Sequence, residues 1–204
     1  MTERPILFSG PMVRAILDGR KTVTRRVLKP RGRLSLFDDS WSDDYVLDPG
    51  NAEWREAAYP WRVGDRLWVR EAWRSAAPLD DISPSAIGEE SMEIAPVRYE
   101  ADGEAINWLE WRGHDAGRLR AGMHMPRWAS RITLEVTGVK VERLQDISAS
   151  DAVAEGALST AAVDQFAEVH AIPMFRAIWL GINGPGSWEA NPWVVAISFK
   201  RVTP

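Results

Sequence analysis

Two runs of alternating apolar and polar residues, Arg131-Ile-Thr-Leu-Glu-Val-Thr137 and Val139-Lys-Val-Glu-Arg-Leu144, are joined through the single residue Gly138. Side chains alternate faces along a strand, so the pattern predicts either a hairpin turning at Gly138 or one long strand bent there by a bulge. A third run, Trp193 to Val202, sets Trp193, Val195, Ile197 and Phe199 against a mixed face. A fourth, Leu67, Val69 and Glu71, alternates with Trp68 and Arg70, so one face is buried and the other offered outward. Such strands suit the wall of a small barrel.

Helical signals punctuate them. Ser9 to Gly19 has a capping Ser9, Pro11 in the first turn, Met12, Ile16 and Leu17 on one stripe, and a terminating Gly19. Lys21 to Leu28 is rich in β-branched residues and closed by Lys29-Pro30, which reads as a strand or a turn leading into one. Ser148-Ala-Ser-Asp151 resembles a capping box for a short helix, Ala149 to Glu155, stopped by Gly156. Residues 162–182 read as helix split by Pro173, with Phe166, Phe175, Ile178 and Trp179 as apolar contacts, and Asn183-Gly184-Pro185-Gly186 ends it. Acidic, turn-rich stretches at roughly 31–60 and 76–120 read as irregular insertions, the second with a short hairpin of 97–99 and 106–108. The expectation is one α+β domain over 1–204: a small β-barrel with short helices inserted between its strands.

Composition excludes several classes. With 45% hydrophobic residues and a mean hydropathy of −0.27, the 204-residue chain can bury a sizeable core. There is no cysteine, which removes disulfides, thiolate catalysis and iron–sulfur clusters. No stretch approaches the ~18 apolar residues of a membrane span, and Met1 to Gly10 has no signal-peptide pattern, so a cytoplasmic protein with no membrane partner is expected. The net charge is −4, yet Arg14 to Arg33 carries eight basic residues against Asp18 alone. That strip is either a solvated face balanced by nearby carboxylates or a phosphate-contacting strip. The eleven tryptophans outnumber Tyr and Phe together; most are expected in the core, with a minority available to stack on a base.

Familiar chemistries fail on spacing. Gly19-Arg-Lys-Thr22 lacks the G-x-x-x-x-G-K-[ST] order of a phosphate-binding loop and ends a helix instead of opening one. His114, Asp115 and His124 are too few and scattered for a metal, and no cofactor is expected. No G-x-S-x-G elbow is present.

Gly19-x-Lys21-x-x-Thr24-x-Arg26 resembles the G-x-K-x-x-T-x-R signature of the ASCH family, whose barrel is PUA-like. Trp61-Arg-Val-Gly-Asp-Arg-Leu-Trp-Val-Arg-Glu71 is similar to the family's pGD-x-L-x-V strand, and Leu144 to Gly156 to its L-x-x-I-[ST]-x-x-x-A-x-x-E-G helix. Residues 5–9, 12–17 and 188–194 resemble a longer branch carried by bacteriophages and prophages. The matched pieces cover about half the chain and leave out both acidic insertions. The resemblance extends to compact N4-acetylcytidine amidohydrolases, which use Lys, Thr and Glu. It implies Lys21 as base, Thr24 as nucleophile and Glu155 as the carboxylate, with Phe8, Ser9, Arg25, Arg26, Trp68 and Glu71 contacting a nucleoside or single-stranded RNA. The chemistry is physically reasonable, since a desolvated Lys among the cations Arg20, Arg25 and Arg26 is neutral more readily. In a regular strand residues i and i+3 face opposite ways, so a Lys21–Thr24 contact requires a turn or bulge after Gly19.

Two other roles stand beside amide hydrolysis. One is a module that recognises RNA or a modified base without turnover; the other is an assembly role in a phage particle.

Overall fold

The structure, a computed structural model, describes residues 2–29, 35–88, 97–103, 115–158 and 160–202, the side chains of 160–168 excepted. Arg31, Arg33, His114 and the predicted 106–108 strand therefore lie outside the described residues, as does the Phe166 side chain. The chain divides into two compact units: Met1–Asp18 with Asp65–Glu135 and Arg201–Pro204, and Gly19–Gly64 with Val136–Lys200.

In the first unit, β1 (Glu3–Leu7) runs parallel to β3 (Arg66–Arg70), which pairs antiparallel with the start of β6 (Thr133–Arg143). Leu67, Trp68 and Val69 are all buried, so β3 is covered on both faces at 67–69 and offers outward neither the Trp68 face nor the Leu67 and Val69 face, the two arrangements that the alternation allows. A strand flanked on both sides loses the in–out alternation on which that expectation rests. Phe8 donates its backbone N–H to the Arg70 carbonyl at 3.0 Å, and the exposed Ser9 stands at the N-cap of α1 (Gly10–Leu17). Helix α1 buries Val13, Ala15 and Ile16, while Met12 and Leu17 are only half-buried. Its stripe is thus rotated from the predicted one.

Two arginines organise the second insertion. Arg120 exchanges backbone hydrogen bonds with Trp73 at 3.1 and 2.8 Å, and its buried side chain donates to Leu79 O at 2.6 Å, Ile82 O at 3.2 Å and Ser75 Oγ at 3.3 Å. The short strand β4 (Trp73–Arg74) pairs with β5 (Arg98–Tyr99), so 97–99 joins a strand before the insertion. Arg131 grips both oxygens of Glu71 at 2.9 and 3.0 Å, reaches Asp102 at 2.8 Å and lies 3.9 Å from the centre of the Tyr99 ring. Burial pushes the Glu71 carboxyl above its usual range, and the Arg131 guanidinium pulls against that shift. Burial likewise pushes the Tyr99 phenol up to about 12.

In the second unit, β7 (Trp193–Val202) is the neighbour of β6 and pairs antiparallel with β2 (Val23–Val27), Thr24 opposite Ile197 and Arg25 opposite Ala196. β6 runs unbroken through Gly138, the long-strand alternative; its buried apolar positions switch from Leu134 and Val136 before the glycine to Val141 after it. The five strands follow the order β1-β3-β6-β7-β2. Among the described residues that order ends at β1 and β2, so the fold is α+β but its sheet is not closed into the expected barrel. Alternation reports which face is buried and carries no information on closure.

The described part of the first insertion is not irregular either. α2 (Asp43–Leu47) is capped by Ser42, and α3 (Ala52–Ala57) follows a single turn. The acidic residues that read as turn formers sit here in a helix first turn, where they favour the dipole, and as counter-ions. Arg143 binds Asp39 at 2.8 Å and Asp43 at 2.9 Å while lying 4.4 Å from the Trp193 ring centre. α4 (Ala149–Ala154) starts as expected, with the Asp151 N–H donating to Ser148 Oγ at 3.1 Å. α5 (Thr160–Asn183) continues through Pro173 where a split is predicted. Interior Pro costs about 3 kcal/mol, but Ala171, Phe175 and Trp179 lie one turn apart and are buried with Leu144, Ile147 and Val194. That burial offsets it. No described helix is long and apolar enough to cross a membrane.

Replacing Arg131 by Met leaves Glu71 buried without its cation. Unfolding titrations should show a loss of about 3 kcal/mol at pH 7. A carboxyl whose folded pKa is raised binds more protons folded than unfolded, so the loss should shrink as pH falls towards 5.

Candidate active site

Lys21 stands between α1 and β2, in the turn that follows Gly19, whose φ of +74° is the left-handed conformation glycine adopts freely. It forms an antiparallel bridge with Glu155, and Thr22 N–H donates to Ala154 O at 2.8 Å. The bridge fixes the two side chains against each other. Lys21 Nζ donates to Glu155 Oε2 at 2.5 Å, Val23 O at 2.8 Å and Glu155 O at 3.0 Å. An ammonium has three N–H groups, and these three acceptors match them.

Arg25 joins the same carboxylate from β2. Its Nη1 reaches Glu155 Oε1 at 3.3 Å, its Nη2 reaches Asp151 Oδ2 at 2.8 Å, and its Nε reaches Glu142 Oε1 at 2.9 Å. Asp151 and Glu155 meet one guanidinium because they lie four residues apart, on one face of α4 and its C-cap. Glu142 comes from β6, with β7 between it and Arg25. Ala196, opposite Arg25 on β7, has only a methyl group there and leaves the guanidinium room to cross. The Phe175 ring centre lies 6.0 Å from Arg25 Cζ. The side chains of Lys21, Arg25, Glu142 and Glu155 are each no more than 4% exposed, whereas Asp151 is 38% exposed.

Burial dominates the electrostatics. It pushes the Lys21 ammonium below its ordinary range; the charge and hydrogen bond of Glu155 oppose that shift, while Arg26 and Arg25 add to it. Burial also lowers Arg26, against the pull of Glu155.

Of the residues expected in the site, Lys21, Arg25 and Glu155 are bonded together. Thr24 is buried in β2 beside Arg25 and takes no part in these bonds; along an extended strand its side chain faces away from that of Arg25. Phe8, Ser9, Trp68 and Glu71 belong to the other compact unit. There Trp68 is 8% exposed, with Arg70 Cζ at 4.6 Å and Arg127 Cζ at 5.9 Å from its ring centre, and Glu71 is held by Arg131. The basic strip is thus partly internal: Lys21 and Arg25 are ion-paired inside, and Arg20 donates to Leu158 O at 3.2 Å. Sequence reasoning missed Glu142 and Asp151. Asp151 was readable as the residue one helical turn before Glu155, but Glu142 sits at an ordinary polar position of an alternating run.

No family model matches the sequence, and no curated protein matches it. Among solved structures the chain is similar to an ASCH domain from Lactobacillus crispatus JV V101, at 12% identity over 98% of this chain and 79% of that one, with a TM-score of 0.37.

Glu155→Gln removes the anion that Lys21 and Arg25 share. The expected cost is about 3 kcal/mol at pH 7. Because the unfolded chain holds the Lys21 proton more tightly than the folded one, the cost should shrink as pH rises towards 10. Chemical denaturation across that range checks both the size and the sign.

Proposed function

We propose that the chain hydrolyses the exocyclic amide of an acylated cytidine, with N4-acetylcytidine as the type substrate, free or within single-stranded RNA. Thr24 Oγ attacks the acyl carbon and its proton passes to neutral Lys21 Nζ. The bond from the acyl carbon to N4 then breaks, N4 takes the proton from Lys21, and cytidine leaves. Water opens the Thr24 ester, releasing acetate and restoring the hydroxyl. Glu155 holds the ammonium that forms on Lys21, and backbone N–H groups stabilise the oxyanion.

The observation carrying this reading is the buried Lys21 itself. Its side chain is fully enclosed, and burial lowers its pKa from the ordinary lysine value against the pull of Glu155, the direction that favours an amine acting as a base. The Gly19-x-Lys21-x-x-Thr24-x-Arg26 pattern and the Ala154-Glu155-Gly156 stretch support the same assignment. Recognition of a modified base without turnover is favoured by a different observation, the donation of three Lys21 N–H groups to Val23 and Glu155 with Thr24 apart from them.

Chromatography of cytidine released from N4-acetylcytidine separates the two. The hydrolase reading expects turnover by the wild type, at least about a thousandfold less in Lys21→Ala and Thr24→Ala, and a rate that rises with pH as Lys21 loses its proton, with a midpoint below the ~10.4 of free lysine. Nucleoside binding without cytidine release establishes the recognition reading.

A further inference from the structure

Glu142 lies outside the Lys, Thr and Glu set, yet it is enclosed as tightly as Glu155. One of its oxygens is occupied entirely by Arg25, with Nε at 2.9 Å and Nη2 at 2.7 Å. The other, Oε2, is buried without an aligned hydrogen-bond donor; the Lys140 ammonium, on a side chain 67% exposed, lies 2.6 Å away as an ion-pair partner. Charges therefore alternate along a connected line from the surface inward: Lys140, Glu142, Arg25, Glu155, Lys21. The weakest link in it is the 3.3 Å contact between Arg25 Nη1 and Glu155 Oε1.

We propose that Glu142 is a positioning residue, which holds the Arg25 guanidinium back from Glu155 and so sets the share of that carboxylate left to Lys21. This rests on the reading of Lys21 as the base. Glu142 takes two of the guanidinium's donor groups, and Asp151 shares one of them, so only Nη1 reaches Glu155. Without the Glu142 charge, Arg25 has Glu155 and the half-buried Asp151 as its remaining anions. A buried guanidinium then closes on the carboxylate that is out of water, Glu155 at 4% exposure, because the charge of Asp151, 38% exposed, is already screened by solvent. What Arg25 gains on Oε1, Lys21 loses on Oε2, because both cations draw on one delocalised charge. The charged groups acting on Lys21 are Glu155 from the end of α4 and Arg25 and Arg26 from β2; Asp151 from α4 and Glu142 from β6 bind Arg25, and Lys140 binds Glu142.

The test reads Lys21 without substrate. The chain has four lysines, Lys21, Lys29, Lys140 and Lys200, so lysine labelled at Cε gives four signals in the full-length protein, and Lys21→Arg assigns the buried one. Glu142→Gln should lower the Lys21 titration midpoint by at least about 0.5 pH unit. The same substitution made on an Arg25→Met background should leave the midpoint unmoved, because Glu142 acts through Arg25. Lys140→Glu removes the cation paired with Glu142 Oε2 at the exposed end of the line and leaves Arg25 as the cation that Glu142 holds; it should strengthen that hold and raise the midpoint, which keeps the idea testable if Glu142→Gln does not fold. A midpoint unchanged in both Glu142→Gln and Lys140→Glu overturns the proposal. So does an equal shift with and without Arg25, which is a bare charge effect. Turnover of N4-acetylcytidine is scored separately: shifts without turnover remove the hydrolase reading alone, and turnover with an unmoved midpoint removes the positioning role alone.

Discussion

Five charged side chains converge in the second unit, four of them almost wholly out of water. Each ion costs several kcal/mol to desolvate, and only a fully paired network compensates. The local architecture follows from that requirement. The turn after Gly19 brings Lys21 beside Glu155, the α4 C-cap presents Glu155 one turn below Asp151, and Ala196 leaves a passage over β7 for Arg25 to reach β6. A larger residue at 196 would stand in that passage, and a helix one turn shorter would lose Glu155.

The first unit meets a similar demand with different parts. Arg131 serves Glu71 and Asp102 while stacking on Tyr99, and Arg120 ties three carbonyl or hydroxyl groups of the 75–82 segment together over Trp73. In both units a planar guanidinium satisfies several acceptors at once and packs its face on an aromatic ring, which an ammonium cannot do. None of the tryptophans in the described residues is exposed; their number fits a core in which ring faces cover arginines.

Much of this was legible in the sequence. Local signals placed α1, β2, α4 and β7, because caps, glycine stops and β-branched runs act over a few residues. The Lys21–Glu155 pair was legible through its motif context. Glu142 was not, since its role depends on which strand lies beside which, and alternation is silent on neighbours. The helices of the first insertion were hidden by their acidity: Asp39 and Asp43 read as turn formers until Arg143, a hundred residues on, is seen to bind them. The predicted break at Pro173 failed because tertiary burial of Phe175 and Trp179 outweighs a local penalty.

Both the ion network of this unit and the proposed chemistry require Lys21 to be enclosed and ion-paired in the native chain, and lysine reactivity tests that most directly. Brief acylation of the folded protein with a small amine-reactive reagent, followed by mass spectrometry of the four lysine sites, compares them in one sample. Lys29, Lys140 and Lys200 should react freely, and Lys21 at least about a hundredfold more slowly, at a rate set by local opening. Modification of Lys21 as fast as the other three would contradict the enclosed ion network on which the fold of this unit and the proposed chemistry are built.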